Sequence, residues 1–202
     1  MKELYYDELL NIETIENQIG FNKSFHYHRY EPTPYIGLEQ LFEQYELKES
    51  DRLVDFGCGK GRLNFFVHYM FQASTVGVEM NEEFFEDAMK NLHSYTPREG
   101  SMKEQISFHC CFAQDYQVNP LDNRFYFFNP FSVQIFMKVI DNILRSVEER
   151  HREVELILYY TNEDYVYFLD NHYAFELKQE IILPGLYNTD DSERFLIYRL
   201  VY

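Results

Sequence analysis

The sequence predicts one α/β domain: a doubly wound, mostly parallel sheet of seven strands, helices on both faces and a C-terminal antiparallel hairpin. Three observations carry this. From about Tyr35 onward, short apolar runs alternate with segments of helical period, the pattern of strands linked by crossover helices. The 202 residues suffice for one sizeable core and are few for two ordinary domains. No repeat, low-complexity tract or Gly/Ser linker divides the interior.

Residues 1 to about 20 read as a helical extension, with Leu9, Ile12, Ile15, Glu16 and Ile19 near helical spacing. Phe21 to Tyr35 reads as a loop rich in aromatics and His, punctuated by Pro32 and Pro34. Residues 1–34 are thus expected as an extension and a possible lid, and 35–202 as the domain. Within it, Gly37 to Tyr45 predicts a helix burying Leu38, Leu41, Phe42 and Tyr45, and Arg52 to Phe56 a strand ending in a glycine turn. Lys60 to Gln72 predicts a helix, with Leu63, Phe66, Val67, Met70 and Phe71 on one face. Thr75 to Met80 reads as the second strand, and Asn81 as the N-cap of a helix burying Phe84, Phe85, Ala88, Met89 and Leu92.

Ile106 to Cys111 predicts a third strand and Arg124 to Phe128 a fourth, after which Ser132 caps a helix with Val133, Phe136, Met137, Ile140, Leu144 and Val147 facing inward. Val154 to Tyr160 is the fifth strand, followed by a helix around Asp164 to Asn171. Ala174 to Leu183 and Arg194 to Tyr202, separated by turn-rich sequence, form the hairpin.

Hydrophobic residues at 46% and aromatics at 18% exclude a disordered chain and imply a packed core. The net charge of −16, from 34 acidic and 18 basic residues, and the absence of a basic stripe disfavour nucleic acid and anionic membrane surfaces as partners. The first residues lack a basic region followed by an apolar run, and no apolar stretch is long enough to span a bilayer. The sequence therefore reads as cytoplasmic. Cys58, Cys110 and Cys111 have neither metal-ligand spacing nor a disulfide framework, and read as small buried hydrophobes in a reducing compartment.

The chemistry concentrates at Val54-Asp55-Phe56-Gly57-Cys58-Gly59-Lys60-Gly61. Three glycines between a buried strand and a helix let a ligand approach the backbone, where the helix N-terminus offers free N–H groups. The spacing is G-x-G-x-G, neither the dinucleotide G-x-G-x-x-G nor the P-loop pattern. Asp55 immediately before the loop opposes a pyrophosphate and suits a cationic amino-acid moiety. Glu79, ending the second strand, stands where an acid accepts both ribose hydroxyls of an adenosine.

On these residues the chain resembles the class I, Rossmann-like S-adenosylmethionine-dependent methyltransferases from about Tyr35 to Tyr202. Asp55-Phe56-Gly57-Cys58-Gly59-Lys60-Gly61 is similar to the family's first motif, which lies under the methionine portion. Glu79 matches the ribose-binding acid, with Met80 beside it, and Asp115 the carboxylate that takes the adenine amino group, with Gln114 and Tyr116 beside it. The resemblance implies S-adenosylmethionine as cofactor, contacted by Tyr35, Asp55, Gly57, Cys58, Gly59, Gly61, Glu79, Met80, Gln114, Asp115, Tyr116 and Asn129, with no metal.

Phe127-Phe128-Asn129-Pro130-Phe131-Ser132 resembles the family's fourth motif, which in amine methylases is Asn-Pro-Pro-Tyr or a relative. Here Phe131 stands in place of the second proline. A residue before proline is held extended, so Asn129 is expected to project toward the methyl group and, with Pro130, to position the acceptor. The stretch also resembles the Asn-Asn-Phe element of the non-SET class I histone-lysine methyltransferases, as Gly77-Val78-Glu79 resembles their second strand. Any base needed would come from His26, His28, Tyr30 or Tyr35, and Tyr159-Tyr160-Thr161-Asn162 would border the acceptor pocket.

The implied activity is methyl transfer to a small molecule or a protein side chain. Two other classes stay open: a non-catalytic module that binds S-adenosylmethionine or a nucleoside, and a nicotinamide-dependent oxidoreductase, which the glycine spacing opposes.

Overall fold

A run such as Leu53-Val54-Asp55-Phe56, apolar in both directions, stays dry only when both faces of its sheet are covered. The computed structural model, which describes residues 2–15 and 31–201, has this arrangement. In chain order the elements are α1 (Lys2–Leu10), α2 (Tyr35–Gln44), β1 (Arg52–Phe56), α3 (Arg62–Phe71), β2 (Ser74–Glu79), α4 (Glu82–Ser94) and β3 (Ile106–Cys110). There follow β4 (Arg124–Phe128), α5 (Val133–Glu149), β5 (Glu155–Tyr159), α6 (Glu163–Asp170), β6 (Phe175–Ile182) and β7 (Arg194–Leu200).

The seven strands lie in the order β3-β2-β1-β4-β5-β7-β6. β1 to β5 pair in parallel, and β7 runs antiparallel to both β5 and β6. This is the predicted class, a doubly wound Rossmann-like sheet with a terminal hairpin. Strand order reverses beside β1, since β2 and β3 lie on one side of it and β4 and β5 on the other. A crevice opens at such a reversal, outside the carboxyl ends of the strands.

Alternate residues face opposite layers. Val54, Phe56, Val76, Val78, Phe125 and Phe127 meet Phe136, Val139 and Ile140 of α5 and Tyr165 and Leu169 of α6. Leu53, Tyr126, Ile157 and Ile197 meet Leu10, Leu38, Leu41, Leu63, Phe66 and Val67 of α1, α2 and α3. Leu10 and Ile12 belong to that second cluster, so the first residues of the expected extension pack as part of the domain.

Some expectations are corrected. α1 ends at Leu10 and does not run on to about residue 20, because Asn11 takes φ +55°. The Asn11 N–H donates to the Glu8 carbonyl (3.2 Å) and the Ile12 N–H to the Asp7 carbonyl (2.9 Å), the double bond that terminates a helix at a left-handed residue. Leu9 and Ile15 are consequently exposed; Glu16, Ile19 and the loop to Tyr30 lie outside the described residues. α3 starts at Arg62 and is buried nearly all round through His68, while Met70 is exposed. Met89 and Met137 are also exposed, and the inner face of α5 is Ile135, Phe136, Val139, Ile140, Ile143 and Val147. Of the cysteines only Cys58 is buried.

Asn81 caps α4 as predicted, its side chain accepting from Glu83 N–H (2.9 Å) and Phe84 N–H (3.3 Å). Ser132 occupies the N-cap of α5 without a side-chain capping bond. Its carbonyl accepts instead from Ile135 and Phe136.

Candidate functional site

The crevice, about 870 Å³ counted with its open mouth, lies over the carboxyl ends of β1, β2 and β4. Its geometry starts from the glycine turn. Gly57 has φ +80°, and a Cβ there would sit 2.8 Å from the Pro130 Cβ, so only glycine lets the β1 and β4 strand ends approach. Gly57 N–H and Cys58 N–H both donate to the Val78 carbonyl, at 2.8 and 3.2 Å, fastening the turn to β2.

Three acids line the crevice, Glu31, Asp55 and Glu79, of which the last two stand at the ends of β1 and β2. Asp55 is 5% exposed, and no described residue donates a hydrogen bond to it. Burial, then the negative charge of Glu79, pushes its carboxyl up to about 8. Glu79 is fixed by Gly59 N–H (2.9 Å) and Asn81 N–H (2.8 Å). Burial raises its pKa as well, against the pull of these backbone donors. The Cys58 thiol, buried between the same acids, is pushed well above the usual thiol range and is no thiolate nucleophile.

The crevice brings together Asp55, Gly57, Cys58, Glu79, Met80 and Pro130 among the expected residues. Others lie off its wall. Tyr35 is fully buried with its hydroxyl donating to Asp7 (2.7 Å), which with burial raises its pKa and leaves it no role as a base. Gly61 faces Phe108 and Phe65, whose rings fill the space a Cβ would need. Tyr116 donates to Asp122 (2.8 Å) within the core, Asp115 is exposed, and the Gln114 carbonyl accepts from Asn142 (2.8 Å). Gly59 contributes through its bond to Glu79.

Sequence reasoning missed part of the wall: Glu31, Thr33, Arg62, Asn81, Phe84, Ala113, Tyr126 and Phe131. Tyr126 follows Arg124-Phe125 in a strand that reads as uniformly apolar, yet its in-register neighbour on β1 is Asp55, so both side chains point to one face. The Tyr126 hydroxyl and Thr33 Oγ1 share a hydrogen bond of 2.7 Å, which ties residues 31–34 across the floor. That pairing was legible only after strand register was known.

At the β4 end the expectation for Asn129 is corrected. Its φ is +40°, not extended, a left-handed conformation that Asn tolerates better than most residues. Its Oδ1 accepts from Asn162 Nδ2 (2.8 Å), the N-cap of α6. Beside it, at the end of β5, Tyr160 takes φ +50° and donates to Asp190 (2.5 Å). Two strained residues therefore end adjacent strands, where such strain collects around binding sites. His26, His28 and Tyr30 lie outside the described residues.

Residues 36–127 match the family model of a methyltransferase domain, a span containing β1 to β3, the glycine turn and all of β4 but its last residue. No curated protein sequence matches the chain. Among solved structures, a human methyltransferase 10 domain containing protein superposes with TM-score 0.61 at 13% identity, covering 98% of this chain and 92% of its own. YjhP from E. coli gives 0.59 at 13%, covering 85% and 94%. An RNA methyltransferase from Salinibacter ruber, solved with S-adenosyl-L-homocysteine, gives 0.54 at 16%, covering 84% and 92%. The chain thus shares the Rossmann-like fold of these methyltransferase structures, and its residues 36–127 match a methyltransferase domain. Among the described residues, no helix is long and apolar enough to cross a membrane.

Proposed function

We propose that the protein is a methyltransferase using S-adenosylmethionine, with the methyl acceptor a small molecule or a protein side chain. The observation that supports this most is Asp55: a buried carboxylate without a hydrogen-bond donor, open to the crevice and next to a second acid. Such a site is costly when empty and favours a cationic ligand. The cofactor supplies a sulfonium-activated methyl group, so the protein's own work is alignment and exclusion of water.

In this reading Gly57 and Cys58 carry the amino-acid end, Asp55 its ammonium, and Glu79 the ribose. Ala113, Met80 and Phe84 bound the adenine side of the crevice, and Asp115, exposed two residues after Ala113, takes the adenine amino group. Pro130 closes the floor against Gly57, and Asn129, held by Asn162, positions the acceptor. The Salinibacter neighbour is named an RNA methyltransferase, so the disfavouring of nucleic acid from net charge finds no support there and RNA belongs among the acceptors tested.

Calorimetric titration with S-adenosylmethionine, S-adenosylhomocysteine and NAD tests the reading. Micromolar binding of the first two and none of NAD is expected. Binding with no turnover on amines, proteins or RNA, together with an unchanged affinity in Asn129→Ala, would favour the non-catalytic module.

A further inference from the structure

The crevice reaches the carboxyl end of β4, where Phe128 lines it. The Phe128 ring lies 4.6 Å from that of Tyr159 and 6.2 Å from that of Tyr160, at the end of β5. Carboxylates surround this aromatic corner. Asp190 accepts from the Tyr160 hydroxyl (2.5 Å), Glu193 accepts from the Tyr159 hydroxyl, and Glu31 lines the crevice itself. All three bear on one group: the Tyr160 hydroxyl is raised above its usual range by its bond to Asp190, then by burial and by the charges of Asp190, Glu193 and Glu31.

Among the described residues, no Lys or Arg forms an ion pair with Glu31, Asp190 or Glu193, whereas Asp51, Asp87, Asp122 and Glu155 elsewhere all have one. Arg62, the one cation among the described residues of the crevice wall, is paired with Glu3. A separate observation has the same sign. Asp55, 5% exposed, opens on the crevice and receives no hydrogen bond from a described residue. An anionic acceptor would meet repulsion here and a neutral one would leave the charges unanswered. An ammonium gains both from the carboxylates and from the ring faces.

We infer that the methyl acceptor is an amine that enters as its ammonium, held at the β4 and β5 ends against the rings of Phe128 and Tyr160 by the carboxylates of Glu31, Asp190 and Glu193. This rests on the S-adenosylmethionine reading above and names the acceptor class for it. For transfer the ammonium releases a proton to water. The freed nitrogen lone pair attacks the methyl carbon, and the carbon–sulfur bond breaks with its electron pair left on sulfur. The products are S-adenosylhomocysteine and an N-methylammonium, a cation like the acceptor.

The test uses protein saturated with S-adenosylhomocysteine and two probes of one shape, n-butylammonium, which is charged at pH 7, and 1-butanol, titrated by NMR. The cation is expected to bind about tenfold more tightly or better, as nearby carboxylates and a ring face provide. Glu31→Gln, at an exposed residue, is expected to cut that preference about threefold, Glu193→Gln likewise, and Glu31→Lys more than either. Methyl transfer to n-butylamine and to an N-acetylated peptide with one lysine, read by mass spectrometry, separates a small amine from a protein side chain. Equal wild-type affinity for the two probes overturns the inference. So does a preference unchanged in Glu31→Lys, or transfer to an RNA oligonucleotide and to neither amine. Failure of the wild-type protein to take up S-adenosylhomocysteine at the outset removes the cofactor reading, and this inference with it.

Discussion

Asp55 yields a prediction that needs no knowledge of the methyl acceptor. Burial and Glu79 hold its carboxyl near 8 in the free protein, so at pH 7 it is protonated in about nine molecules of ten. A cationic ligand beside it stabilises the ionised form and lowers that pKa. Binding of S-adenosylmethionine should therefore expel about 0.9 proton per site at pH 7 and only about 0.1 at pH 9. Below pH 7 the affinity should weaken close to tenfold per unit, because the proton competes with the ligand.

Calorimetry in two buffers of different ionisation enthalpy reads the proton count directly. The ligand's own amino group titrates near pH 8, which makes pH 7 the cleaner condition. Asp55→Asn should bind far more weakly and release no proton at this residue; a release that survives in it belongs to Glu79, whose pKa is raised in the same direction. Tight binding with heats independent of buffer would refute the reasoning. The same shift fixes the sign of a stability effect. A carboxyl whose folded pKa exceeds its unfolded 3.8 supports the fold fully below that value and loses its contribution as pH rises toward about 8. Asp55→Asn should thus stabilise the unliganded protein at pH 7, with an upper bound of about 4 kcal/mol, measurable by denaturant unfolding.

Three further perturbations follow from the geometry. Gly57→Ala forces a Cβ to 2.8 Å from Pro130 at φ +80°, so it should destabilise by at least about 1–2 kcal/mol and abolish cofactor binding; melting and titration together check this. Leu10→Ala, at a fully buried position of the second core cluster, should cost about 2–5 kcal/mol in denaturant unfolding, whereas an α1 undocked in solution would give almost none. Thr33→Val leaves the buried Tyr126 hydroxyl without its partner and should cost about 1–3 kcal/mol. Adding Tyr126→Phe should restore part of that loss, since removing both partners leaves nothing unsatisfied.

The fold was legible because its signals are local. β1 and β4 have the bounds read from their apolar runs, and Asn81 caps α4 through the bonds its side chain chemistry suggests. The misplaced features are those decided by partners distant in sequence. Met70, Met89 and Met137 fit a helical stripe, but the sheet packs against a rotated face, and a flexible thioether tolerates exposure. Asn11 stops α1 by adopting a left-handed conformation, which its residue type permits without dictating. In the crevice, Asp55 and Glu79 follow from position at strand ends, whereas Arg62, Thr33 and Tyr126 enter only through strand register and the docking of α1.

That division bears on how the site works. A sequence motif records which backbone can approach a ligand, and here it marks Gly57, Cys58 and Gly59. What distinguishes one ligand from another is the charge that the crevice leaves without a partner. Glu3, Thr14, Thr33 and Tyr35 together hold Arg62 and its charge is paired with Glu3, whereas the backbone donors that fix Glu79 leave Asp55 with none. Neutralising Asp55 should therefore strengthen the empty fold and weaken the occupied one. A variant that did both, with Arg62 intact, would locate the cost of specificity in that single carboxylate.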